Sequence, residues 1–117
     1  VSQIPIEENI RSISYAQDKV GIVTDNMEGG DPYRLRIYDR EGSTVFEKSF
    51  NYQYTGFDID GDLILLYNDS SCKVYNMTGT EKYNGTFDFT VSKVSAGRFP
   101  GTLLVMGPQK MTEIKLQ

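Results

Sequence analysis

Short runs rich in Val, Ile, Tyr and Phe, each bounded by Gly, Asn, Asp or Ser, recur along the chain: RSISYA (11–16), KVGIVT (19–24), RLRIYD (34–39), STVFEKSF (43–50), TGFDI (55–59), LILLYN (63–68), CKVYNM (72–77), KYNGTF (82–87), TLLVM (102–106) and TEIKL (112–116). β-branched and aromatic residues suit a pleated, half-buried surface, and Gly, Asn and Asp suit the turns between strands. Only residues 8–19 leave room for a helix, and their Ile and Tyr residues favour strand there too. The pattern predicts an all-β chain.

The runs also repeat. Shifted by 37 positions, RIYDREGSTVFEKSFN (36–51) lies on KVYNMTGTEKYNGTFD (73–88), pairing Ile37 with Val74, Tyr38 with Tyr75, Gly42 with Gly79 and Phe50 with Phe87. Shifted by 40, GDLILLYNDSSCKVYNM (61–77) lies without a gap on GTLLVMGPQKMTEIKLQ (101–117), pairing Leu63 with Leu103, Leu65 with Val105 and Val74 with Ile114. A 43-residue shift joins Val23 to Leu66, and the six-residue excess over 37 places an insertion in the hairpin that contains NMEGGDP (26–32). A period of this length is the signature of a repeat architecture.

Each unit reads as four strands, of which the second is a continuous apolar run: VGIV, LILL and LLVM. A strand needs apolar residues at consecutive positions when both of its faces are covered, as they are when sheets stack as blades. The expected fold is therefore β-propeller-like, with about three four-stranded antiparallel blades near 10–50, 54–88 and 93–117 in a single unit spanning 1–117. The last blade stops after three strands, and residues 1–9 read as a lone fourth strand that completes it. Propellers typically close with about 4–8 blades, so three predict a slice of a larger propeller, or two chains that share strands in a ring of about six. The alternative is an immunoglobulin-like β-sandwich, which the length permits but whose strands more often alternate.

The repeat settles how Asp58-Ile59-Asp60-Gly61-Asp62 should be read. Its Asp60-Gly61-Asp62 coincides with Pro100-Gly101-Thr102 and with Asp18-Lys19, which makes it a turn between first and second strands in each unit. Asp and Gly are turn chemistry there, and a calcium loop of the helix-flanked type needs its Gly at the sixth position, after acids at the first, third and fifth. No metal site and no cofactor is expected.

Composition narrows the possible chemistry. Sixteen acids and twelve bases are spread along 117 residues, for a net charge of -4, without a basic stripe to neutralise phosphates, so nucleic acid is not an expected partner. The longest apolar runs fall far short of the roughly 18–20 residues that span a bilayer, and no membrane contact is expected from this segment. The absence of an initiator Met suggests a piece of a longer chain, in which targeting or anchoring segments would lie upstream. There is no histidine, which removes the usual general base and every Ser-His or Cys-His nucleophile within the chain. The carboxylate groups Glu7 with Glu8, Asp58 with Asp60 and Asp62, and Asp25 with Glu28 and Asp31 fall at strand ends and in turns, where solvated acids are ordinary. Cys72 beside Lys73 reads as a half-buried strand cysteine, Gly29-Gly30 as a hairpin tip, and Asn68, Asn76 and Asn84 each head an Asn-X-Ser/Thr triplet. No catalytic residue is expected.

In a propeller, second-to-third and fourth-to-first connections lie on one face, which would gather NMEGGDP, NYQYT (51–55), NDSS (68–71), FTVSK (89–93) and GPQK (107–110). Tyr52 and Tyr54 with Asp25, Glu28 and Asp31 would then form an aromatic and acidic surface suited to a protein or a sugar.

The repeat GxLILLYNDxxxKVYNxxG and the terminal VSAGRFPGTLLVMGPQKMTEIKL resemble a family of bacterial extracytoplasmic β-propeller proteins common in Gram-positive species, related to the WD and pyrroloquinoline-type repeats. The resemblance implies a location outside the cytoplasm, on a membrane-anchored parent protein, and transfers no catalytic residues. The expected function is a non-catalytic binding or scaffolding module that meets a protein or a cell-wall polymer, as a homo-oligomer or as part of a larger propeller. The competing expectation is a portion of a propeller enzyme or cofactor-binding propeller whose active site lies in blades outside this chain.

Overall fold

The structure is a computed structural model, and it describes residues 9–16, 18–26, 30–99 and 101–116. Among the described residues eleven strands make three antiparallel sheets, each a simple meander. β1 (Ile10–Ala16), β2 (Lys19–Asp25), β3 (Tyr33–Tyr38) and β4 (Thr44–Phe50) form the first. β5 (Gly56–Asp60), β6 (Leu63–Tyr67), β7 (Ser71–Asn76) and β8 (Glu81–Thr86) form the second. The third has three strands, β9 (Lys93–Ala96), β10 (Thr102–Met106) and β11 (Met111–Lys115). No helix occurs among the described residues, so residues 10–16 are strand, as their Ile and Tyr content predicts. The fourth strand expected over residues 1–9 falls almost wholly outside the described residues; Asn9 extends the β1 ladder by accepting the Asp25 amide at 3.0 Å.

Two compact units divide the chain, residues 1–52 with the first sheet and residues 53–117 with the other two. In the first, β2 buries consecutive residues of opposite faces, Ile22, Val23 and Thr24, the signature that its unbroken apolar run predicted. In the second unit the two sheets share one core. Leu65, Cys72 and Val74 of the second sheet pack with Val94, Leu103 and Val105 of the third, and Val91 of the connecting segment joins the same cluster. Full burial of side chains of this kind stabilises by about 1.5–3 kcal/mol each, so this layer joins the two sheets firmly.

The central strands of these two sheets differ. Ile64, Leu65 and Leu66 of β6 are each no more than 1% exposed, so both faces of β6 are covered. In β10 only Leu103 and Val105 are buried, while Leu104 and Met106 on the opposite face are half-exposed beside an exposed Met111.

The repeat extends to the turns. Asp39 Oδ1 accepts the amides of Glu41 and Ser43 at 3.0 and 2.9 Å, and Asn76 Oδ1, its counterpart, accepts those of Thr78 and Thr80 at 3.1 and 2.9 Å. Gly42 and Gly79 follow with φ of 84° and 90°, a region costly for any residue with a Cβ. A bulge comes next in both sheets, with Val45 the extra residue in β4 and Lys82 the extra residue in β8.

Candidate interaction surface

Asp25 and Asp31 lie at the two ends of the inserted hairpin, and both carboxylates are engaged. Arg11 Nη1 meets Asp25 Oδ1 at 2.8 Å and Asn9 Nδ2 donates to Asp25 Oδ2 at 3.5 Å. The Arg11 guanidinium also sits 5.3 Å from the centre of the Tyr33 ring, which packs on Phe50. Asp25 therefore ties the edge strand β1 to its sheet. Asp31 Oδ2 accepts from Ser49 Oγ at 3.3 Å, and its carbonyl accepts from Asn26 Nδ2 at 2.8 Å. Glu28 lies outside the described residues. Tyr52 and Tyr54 are both half-buried, but Tyr52 belongs to the first compact unit and Tyr54 to the second.

The second unit gathers four connections into one hydrogen-bonded end. Asn68 is its hub: Oδ1 accepts the amides of Ser70 and Ser71 at 3.0 and 2.9 Å, and Nδ2 donates to the Gln53 carbonyl at 2.8 Å. The amides of Phe87 and Val91 bond to the carbonyls of Ser70 and Asp69 at 2.8 and 2.9 Å, and the Ser92 amide to that of Met106 at 2.6 Å. The Phe89 ring lies against Gly107, with Lys110 Nζ 4.9 Å from its centre. Segments 53–55, 68–71, 87–92 and 107–110 thus form one continuous surface, on which Gln53, Asp69, Asp88, Thr90, Gln109 and Lys110 are exposed. The grouping of four of the expected loops is seen within this unit, and Asn68 as its organiser is a role the sequence reading did not assign. An Asn followed by Asp-Ser-Ser at a strand end was the available signal, since such a side chain caps its own turn.

The remaining candidates have structural surroundings. Gly61 turns β5 into β6 with φ of 62°, and the flanking Asp60 and Asp62 are exposed. Asp58 Oδ1 accepts the Ile59 amide at 3.0 Å. Among the described residues, no group of three His, Cys, Asp or Glu side chains is placed to hold a metal ion. Burial pushes the Cys72 thiol up to about 12, which leaves it protonated and unreactive at neutral pH. Burial likewise raises the Tyr75 and Tyr83 hydroxyls, with the nearby Glu81 adding to the first and Cys72 to the second. Glu7 and Glu8 lie outside the described residues, as does Gly29; Gly30 is an exposed hairpin residue with φ of 80°.

Residues 1–116 match the sequence profile of a family of unknown function, DUF5711. The chain belongs to the DUF5711 family. No curated protein matches it. Within this DUF5711 chain, Asn68 and Asn76 have their side chains held in turns, whereas Asn84 is exposed on the edge strand β8. Of the three Asn-X-Ser/Thr triplets, Asn68 has its amide nitrogen donating to the Gln53 carbonyl, Asn76 has its side-chain oxygen held by the turn, and Asn84 is the exposed one.

Proposed function

We propose that this chain is a non-catalytic binding and scaffolding module built from propeller-like blades, which acts outside the cytoplasm and meets a protein or a cell-wall polymer through the loop end of its second unit. The observation that carries the reading is the Asn68-centred network. It fixes four connections in one arrangement and leaves their polar side chains outward, the economy expected of a surface that binds without reorganising. The extracytoplasmic placement rests on the resemblance of residues 61–117 to bacterial propeller proteins.

A second element of the reading concerns assembly. Leu104 and Met106 correspond in the 40-residue repeat to Ile64 and Leu66, which are 0% and 1% exposed. A blade face that is covered in one repeat and open in the next supports a further copy of the chain, or a further blade, seated on β10.

Sedimentation with purified insoluble cell wall tests the binding role. The chain should co-sediment, and Asp69→Ala, Asp88→Ala and Lys110→Ala combined should reduce the bound fraction severalfold without changing the far-UV spectrum. Undiminished sedimentation of that triple variant, or none by the wild type, would count against the loop end as a polymer-binding surface.

A further inference from the structure

A cleft of about 310 Å³ opens between the outer strands of the second unit, lined by Glu81, Lys82, Tyr83 and Asn84 of β8 and by Lys115 of β11. It lies at the end of the unit opposite the loop surface, since β8 enters there from the 77–80 turn and Lys115 pairs with Thr102 at the start of β10. Three features separate it from ordinary solvated surface. Its two ammonium groups come from different sheets, so the packing of those sheets, rather than one strand's sequence, sets their spacing. Among the described residues neither Lys82 nor Lys115 has an acid partner, although the chain as a whole carries a net charge of -4. Finally, Lys82 is the extra residue of the β8 bulge, at the position held by Val45 in the first sheet. A bulge re-aims the side chain it carries, and here that side chain is a cation.

We propose that this cleft binds the phosphate or carboxylate of an acidic saccharide unit, with Lys82 and Lys115 on the anion and Glu81 and Asn84 on neighbouring hydroxyls. The volume is at the small end of ligand sites and suits one sugar-sized unit. Four of the five lining side chains are charged or amide groups, the composition that a polyhydroxylated anion satisfies and an acidic peptide, with its apolar neighbours, does not. Tyr83, whose ring stacks with Phe87 at 6.4 Å, is the single aromatic of the lining. The inference is independent of the loop-end reading, because it concerns the other end of the unit.

Backbone amide NMR of the intact chain tests it. Glucose 6-phosphate and glucuronate should each shift the amides of residues 81–84 and 115 and saturate at millimolar concentration, while glucose should not. Inorganic phosphate should bind more weakly than glucose 6-phosphate, because it leaves Glu81 and Asn84 unengaged. K82Q/K115Q should weaken glucose 6-phosphate binding about tenfold, consistent with two partly exposed charge contacts, with amide shifts elsewhere unchanged. Should the double variant fold poorly, K115Q alone should weaken binding about threefold. Absence of shifts at 81–84 and 115, equal affinity of the variants, equal binding of inorganic phosphate, or tighter binding of a hexaglutamate peptide would each overturn the assignment.

Discussion

The ring of Tyr67 lies over the α-carbon of Gly56, its partner across the β5–β6 ladder, so that a Cβ at position 56 would overlap the ring. The carbonyl of Tyr67 also accepts the Thr55 amide at 2.7 Å, which leaves the strand little room to move aside. Tyr67 in turn packs against the core that joins the second and third sheets. A missing side chain on one strand is therefore what seats an aromatic on the next.

Gly56→Ala should destabilise the second unit by about 1–3 kcal/mol, the usual range for inserting a methyl into a packed site. Adding Tyr67→Ala should recover part of that loss, since the two sites share one contact, and a coupling of at least about 0.5 kcal/mol is expected from a urea-denaturation cycle. Strict additivity would show that the ring does not depend on the glycine.

Cys72 should be silent toward thiol reagents in the native chain and react fully in urea, because its side chain is wholly buried. Its folded value is raised from 9.0 to about 12, so the protonated thiol is favoured in the fold. The associated stability is complete below pH 9 and is lost as pH rises from 9 towards 12, while the unfolded chain ionises first. The raised Tyr75 and Tyr83 act with the same sign. Cys72→Ala should flatten the fall in stability between about pH 9 and 11; an unchanged slope would assign the alkaline loss to the tyrosines.

Asp39 and Asn76 cap equivalent turns in two repeats, so alanine at either position should cost about 1 kcal/mol, the usual scale for a lost side-chain cap. Thermal melts of the two variants should shift down by similar amounts. A loss at one position only would mean that the two turns are not energetically equivalent.

Millimolar calcium should leave the melting temperature unchanged. Asp58 is turned onto its own neighbour's amide, Asp60 ends β5 and Asp62 is the second residue of the two-residue turn, both exposed, an arrangement without converging oxygens. A site filled to a hundred times its dissociation constant would add about 2.7 kcal/mol and raise melting by several degrees.

Much of this architecture is legible in the sequence because two of its signals are local. The 37-residue match predicts the shared turn at Asp39 and Asn76, since a capping side chain and its following glycine act within a few residues. The unbroken run at 63–66 predicts a strand covered on both faces. The same run at 103–106 carries the same signal, yet β10 is covered on one face, because coverage depends on what packs against a strand and not on the strand itself. The Asp25 and Asp31 carboxylates read as an acidic patch, but Arg11 and Ser49, distant in sequence, engage them. Lys82 and Lys115 meet at one cleft only because two sheets pack, a relation no short window contains.

We propose that a second copy covers the Leu104 face of the third sheet, the face that is half-exposed in β10 while the matching face of β6 is buried. A charged side chain buried there without a partner costs several kcal/mol, so Leu104→Asp should separate the copies while leaving the Leu103 face intact. Light scattering across a concentration series is the direct measurement. The account predicts a species of twice the 13.2 kDa chain mass for the wild type and a monomer for Leu104→Asp; a monodisperse wild-type monomer of 13.2 kDa at the highest concentration would contradict it.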